Sequence, residues 1–119
     1  MNINTKLATI QEYFSPKVIG DVNDTFVKVA KIKGNDLPWH SHEQEDEFFY
    51  IVKGSLLFEI ENAPSFEMRA GDYFTVPKGV LHRVSSKEEC HILLVEKNTT
   101  QHTGSVESPL TKSITSQLQ

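Results

Sequence analysis

His40 and His42 stand one residue apart and are followed by the acidic run Glu43, Glu45, Asp46 and Glu47, then by the apolar stretch FFYIV at 48–52. On a strand, residues two apart share a face with Cα atoms about 6.5–7 Å apart, a spacing that lets two imidazoles converge on one metal ion. His-x-His is also the pattern of ordinary loop histidines, so the pair needs further partners. Glu47 is one candidate. If it faces inward, Phe49 and Ile51 share its face, and a turn in EQED returns the chain beside the histidines. Asp46 competes for the same role by parity, while Glu43, Glu45 and Asp46 also fit a solvated loop. His82 lies far along the chain, in GDYFTVPKGVLHRVS, where Val80, His82 and Val84 share a face and Leu81 and Arg83 take the other. Between valines, His82 reads equally as a core histidine.

The elements that must position these residues are mostly short strands. From Thr25 onward the chain alternates with period two and is punctuated by turns: TFVKVAKIKG, EFFYIVKG, SLLFEIEN, SFEM, DYFTVP, VLHRVS and CHILLVE, separated by Lys53-Gly54, Asn62-Ala63-Pro64, Ala70-Gly71, Pro77-Lys78-Gly79 and SSKEE. Roughly seven or eight short strands at this spacing predict an all-β sandwich or barrel. EFFYIVKG is apolar on both faces, as a strand covered on both sides should be. Upstream, Leu7, Ile10 and Phe14 fall at helical spacing, which predicts a short amphipathic helix over about 5–14, ended by Ser15-Pro16 and lying against the sheet. Residues 98–119 are rich in Ser, Thr, Gln and Asn and read as a polar C-terminal tail or arm after a single domain at 1–97.

Composition excludes several functions. A chain of 119 residues suits one domain. With a net charge of −4 and only two arginines, Arg69 and Arg83, it lacks the basic stripe that nucleic acid or an anionic membrane surface requires. The longest apolar run is far too short to span a bilayer. Cys90 is the single cysteine, so no intrachain disulfide forms, and a reducing cytoplasmic location fits. CHILLVE reads as a buried strand with Cys90 in the core. The N-terminus shows no apolar signal segment.

Taken together, the spacings resemble a known family. Gly34, five residues, His40, one, His42, four, Glu47, six and Gly54 resemble the first motif of the cupin superfamily. Gly71, five, Pro77, one, Gly79, two and His82 resemble the second, and the place of its closing Asn holds Ser86. The sixteen residues between Gly54 and Gly71 match the spacer of small single-domain cupins, and the flanks resemble the group labelled mannose-6-phosphate isomerase-like. The resemblance implies a double-stranded β-helix, or jelly-roll (RmlC-like) barrel, of two antiparallel sheets with the metal at one open end. By motif position it makes His40, His42, Glu47 and His82 the metal ligands.

Three imidazoles and a carboxylate without a thiolate suit one divalent Fe, Mn, Ni, Co or Zn. The expected partner is a small molecule, an oxygen-rich metal chelator. The expected activity is isomerase, decarboxylase or dioxygenase chemistry, with a non-catalytic metal-dependent sensor or binding module as the alternative. His91, whose strand parity is open, and Tyr50 are the candidate acid–base residues. Tyr50, Tyr73 and Ser86 are candidates to orient the ligand rings. The apolar outer face of FFYIV needs a cover, supplied by the helix or by a second subunit, and a homodimer is expected.

Overall fold

A computed structural model describes residues 1–100, 102–104 and 111–119. Period-two alternation becomes burial strand by strand. In β2 (Thr25–Gly34), Phe26, Lys28, Ala30 and Ile32 form the inward row; in β3 (Glu47–Lys53), Glu47, Phe49 and Ile51 do. Leu56 and Phe58 of β4 (Ser55–Ile60), Met68 of β5 (Phe66–Arg69) and Val76 of β6 (Tyr73–Val76) continue the core. It is completed by Val84, Ile92 and Leu94 of β7 (His82–Lys97).

All the pairings are antiparallel. One sheet runs β1-β2-β7-β3-β6, where β1 is Lys17–Val22, and the second pairs β5, β4 and the first part of β7. These two sheets form the expected all-β barrel. β7 differs from the reading of two strands joined by a turn at SSKEE: it is one strand of 16 residues. Its residues 82–85 pair with β4, and its residues from 86 onward pair with β2 and β3. Exposed polar residues at 87–89 cross from one sheet to the other rather than turn back, which is why their composition imitates a turn.

β1 had no clear period-two signal. It is an edge strand, with only half-buried and exposed positions, joined to β2 by a tight hairpin in which Asn23 takes φ 56°. The helix α1 (Ile3–Ala8) starts earlier and is shorter than the expected 5–14. Asn2 caps it by accepting from the amides of Asn4 and Thr5 at 2.9 and 3.2 Å. Leu7, Ile10 and Phe14 are all buried, but Phe14 leaves the helical path at φ 55°, donates its N–H to Lys31 O and inserts into the main core. Leu7 and Ile10 instead cover Val29, Val52 and Leu93 on the outer face of the sheet.

At the C-terminus, Thr100, His102, Thr103 and Gln117 are buried. Gly104 passes so close to Ser41 that a β-carbon would lie 2.1 Å from the Ser41 carbonyl oxygen. The short helix α2 (Ile114–Gln117) is capped by Ser113 and held by Lys17 Nζ, which donates to Ser116 O at 3.1 Å. Residues 101 and 105–110, part of the expected polar arm, lie outside the described residues. Among the described residues, no helix is long and apolar enough to cross a membrane.

Candidate metal centre

The site begins with backbone pairing. His40 and His82 exchange both hydrogen bonds, His40 N to His82 O at 3.0 Å and His82 N to His40 O at 2.9 Å, so two distant pieces of chain are locked side by side. Gly79 N donates to His42 O at 2.9 Å and sets the second histidine against the same turn. Glu47 opens β3 on its inward face. The result is four buried side chains, His40, His42, Glu47 and His82, each offering a ligand atom within 4.8 Å of the others. Their relative exposures are 2%, 4%, 2% and 0%.

Tautomers follow from the backbone. His40 Nδ1 lies 2.9 Å from Pro38 O and His82 Nδ1 lies 2.9 Å from Val80 O. A carbonyl only accepts, so each Nδ1 carries the proton and each Nε2 keeps a lone pair. His42 Nδ1, His42 Nε2 and His82 Nε2 are buried without a hydrogen-bond partner. His42 Nε2 and His82 Nε2 stand 3.4 and 3.6 Å from Glu47 Oε1, close enough to feel its charge but too far for good hydrogen bonds.

The electrostatics favour a neutral His40 and an ionised Glu47. Burial, then His82, lowers the His40 pKa to about 4, so its ring is neutral near pH 7. Burial also opposes the charged form of His42, but Glu47 and Glu45 outweigh it and raise its pKa. Burial opposes ionisation of Glu47 as well, yet contacts with Glu96, His42 and His82 hold its carboxyl well below the usual range. An ionised carboxylate and orphaned imidazole nitrogens, all sealed from water, are costly unless a cation satisfies them. The residues therefore fit a metal of the borderline class that prefers imidazole and carboxylate.

Aromatic packing supports the ligands. His82 stacks on Phe58 with ring centroids 5.8 Å apart and planes 12° from parallel, and Phe49 meets His82 edge-on at 6.4 Å. Outside the barrel the intervening residues alternate as expected: Arg83 lies over the Trp39 ring and pairs with Glu59 at 2.8 Å.

Other sequence candidates go elsewhere. Asp46 accepts from Lys78 N at 2.8 Å and braces the Pro77–Gly79 turn, so it is not among the converging ligands. His91 and Tyr50, read as acid–base candidates, are not brought to the cluster. His91 alternates with the inward Cys90 and Ile92 and faces outward, 2.7 Å from Glu89, which also accepts from Tyr13. Tyr50 is on the face of β3 opposite Glu47 and lies beside Tyr73, both exposed. Ser86 sits four residues past His82, about 13 Å along the strand, and donates to Ser55 O or Glu88 O. The ring-orienting role expected of Tyr50, Tyr73 and Ser86 belongs instead to the Pro38 and Val80 carbonyls.

Two functional-looking residues escaped the sequence reading. Glu96 is paired directly with Glu47 across β7 and β3, and Lys28 lies 2.7 Å from Glu96 Oε1. That contact is ionic rather than a well-aligned hydrogen bond, since neither Glu96 oxygen meets hydrogen-bond geometry. Burial, then the adjacent Glu47 charge, raises the Glu96 pKa well above the usual carboxylate value. The missed signal was parity: Lys28 interrupts the row Phe26, Ala30, Ile32, and Glu96 extends the row Cys90, Ile92, Leu94.

Comparison with known proteins gives a consistent picture. A family model described as a cupin domain matches residues 29–96. The uncharacterized protein YdbB of Bacillus subtilis is 35% identical over 78 residues, covering 66% of this chain and 68% of YdbB. The crystal structure of a cupin-2 domain protein from Shewanella frigidimarina superposes with a TM-score of 0.78 at 34% identity, covering 82% of this chain and 93% of that one. Protein NMB1881 from Neisseria meningitidis superposes with a TM-score of 0.73 at 30% identity, over 82% and 97% of the two chains.

Proposed function

The chain belongs to the cupin family, and from that premise we propose that His40, His42, Glu47 and His82 bind one divalent transition metal, Fe, Mn, Ni, Co or Zn, at which a small oxygen-rich chelating molecule is transformed. The observation that carries this reading is the convergence of four buried donors, among which His42 and His82 have Nε2 atoms buried without a hydrogen-bond partner. Bound there, the metal would supply Lewis acidity toward a hydroxy-acid, enediol or catechol-like ligand or, as iron, electron exchange with O2. Isomerase, decarboxylase and dioxygenase chemistries share that requirement.

The chain's own residues do the positioning. Pro38 O and Val80 O fix the tautomers of His40 and His82, Glu47 contributes the negative charge, and Phe49 and Phe58 wall the site against water. A phosphorylated sugar fits less well. Phosphate recognition favours Arg or clustered Lys, but Arg83 is engaged outside the barrel and Arg69 is exposed beside Glu67.

A second reading is a non-catalytic metal-dependent binding module, and one observation weighs on both readings alike. The cavity bordered by His40, Glu47, Phe49 and His102 has a volume of only about 30 Å³, whereas small-molecule pockets run to about 300–1,000 Å³.

The test is the metal content of anaerobically purified protein, followed by turnover assays with chelating acids, enediols and catechols. The expected result is one ion per chain, lost in Glu47→Ala and His82→Ala while the circular dichroism spectrum persists, with turnover lost alongside. Metal-dependent ligand binding without turnover selects the binding module. A metal-free wild type, or variants that keep their metal, refutes both readings.

The chain is also proposed to form a homodimer. α1 covers only the Val52 end of the outer face of β3, while Tyr50 and Tyr73, neighbours in the β3–β6 ladder, stay 36% and 71% exposed. A monomer in light scattering at micromolar concentration would exclude it. A reducing cytoplasmic location fits a single buried thiol whose pKa burial raises to about 11.

A further inference from the structure

Next to Glu47, on the neighbouring strand, the barrel holds buried ionisable side chains that the ligand set does not account for. Glu96 lies directly opposite Glu47 in the β3–β7 ladder and opposite Phe26 in the β2–β7 ladder. Lys28, two residues from Phe26 on the same face, is therefore the diagonal neighbour of Glu96, within reach of a long side chain. Its ammonium sits 2.7 Å from Glu96 Oε1, with both side chains at 0% exposure, and 5.8 Å from the Phe26 ring centre. Lys28 Nζ also donates to Gln117 Oε1 of α2. Gln117 is itself 1% exposed and anchored by its Nε2 donating to Lys112 O at 3.0 Å. A continuous buried polar line thus runs from the C-terminal helix through Lys28 and Glu96 to Glu47, and from there to His42 and His82.

Stability alone does not explain this line. Removing a lysine and a glutamate from water costs several kcal/mol each, and apolar residues of similar volume are often as stable or more so. The inward rows on either side, Ala30 and Ile32 on β2 and Ile92 and Leu94 on β7, show that this interior accepts apolar side chains. The pair does stand where it can restrict Glu47. A carboxylate at the first position of a strand can swing about its side-chain torsions, and a buried polar side chain directly opposite it in the ladder limits that freedom. Groups behind a metal ligand commonly set its orientation in this way.

We propose that Glu96, held by Lys28 and capped by Gln117, is a positioning residue that fixes the Glu47 carboxylate toward the three imidazoles. Metal affinity then depends on Gln117 of the short helix α2, far from all four ligand residues in sequence. This rests on the metal-centre reading above.

The experiment titrates metal-free full-length protein with Co(II), following affinity by calorimetry and coordination by the visible absorption bands of cobalt. Wild type is compared with Glu96→Gln, the double variant Lys28→Met/Glu96→Leu, and Gln117→Ala. Expected are a loss of affinity of about 10- to 100-fold and altered cobalt bands in the first two, with a smaller loss in the same direction for Gln117→Ala. The double variant removes both ionisable groups together and leaves no unpaired ion, but it strands the buried Gln117 Oε1, so a modest fall in melting temperature is expected alongside the altered cobalt bands. If it fails to fold, the near-isosteric Glu96→Gln carries the test. Wild-type affinity and bands in Glu96→Gln would overturn the proposal, as would a lowered melting temperature with unchanged cobalt spectra. A wild type that takes up no cobalt overturns instead the metal-centre reading on which it rests.

Discussion

Lowering the pH of the metal-free protein from 7 to 5 is expected to remove about 2 kcal/mol of folding stability through His40 alone. The ring is 2% exposed, and burial followed by the neighbouring His82 lowers its pKa from 6.5 to about 4. The folded-state value lies below the unfolded one. The native state therefore binds fewer protons between these values, and the contribution is intact above pH 6.5 and drains away as pH falls toward 4. At about 1.4 kcal/mol per pH unit, integration between pH 7 and 5 gives the 2 kcal/mol. His42 acts in the opposite sense. Glu47 and Glu45 raise its pKa despite burial, so its contribution is complete below 6.5 and lost as pH rises through its folded value. The comparison must therefore isolate His40. Urea unfolding in the presence of a chelator, at pH 7, 6 and 5, is run on wild type and on His40→Gln. The wild type should lose about 2 kcal/mol more than the variant over this range, whatever their absolute stabilities. Parallel pH profiles would refute the reasoning. Cobalt should steepen the acid loss in the wild type, because protons compete with the metal for the imidazoles.

Three other outcomes are expected. Phe58→Ala empties the centre of the aromatic cluster formed with Phe49, Phe66 and Phe74 and should cost about 3–5 kcal/mol in chemical denaturation; because His82 stacks on that ring, cobalt affinity should fall as well. Gly54→Ala should destabilise by more than about 1 kcal/mol, since its φ is +85° and a β-carbon would lie 2.9 Å from Glu89 O, while Gly71→Ala, at φ +94° in open space, should cost less; equal melting temperatures for the two would contradict this. Asp46→Ala should lose about 1 kcal/mol with the Lys78 amide bond and keep full metal stoichiometry, whereas loss of the metal would return Asp46 to the ligand set.

The four converging residues were marked by the resemblance of their spacing to the cupin motifs; strand parity alone left Asp46 beside Glu47 and let His82 pass as a core residue. The strands from β2 to β6 were legible because their inward rows are apolar at every second residue. Parity hid as much as it revealed where polar residues point inward. Lys28 and Glu96 break otherwise apolar rows, and a reading that treats charge as a mark of exposure passes over them. β1 carries too little buried surface to leave a pattern, and in β7 the exposed residues 87–89 mimic a turn. Leu7, Ile10 and Phe14 show a subtler ambiguity, because helical spacing is satisfied by one turn of helix followed by a bend. The backbone acceptors of His40 and His82 had no signature at all, since carbonyl direction depends on the fold and not on residue type.

The 16-residue strand β7 begins with His82 and ends one residue past Glu96. Because, among the described residues, it is the one strand common to both sheets, neither sheet has a complete set of neighbours without it. Separate melting of the two layers would require tearing a single extended segment along its length, so unfolding is expected as one concerted event. Assembly should be correspondingly late and slow, since this segment must find partners that precede it by up to about seventy positions. Cobalt colour, appearing only once His82 has docked against His40, would then serve as a stopwatch for the final closure of the barrel.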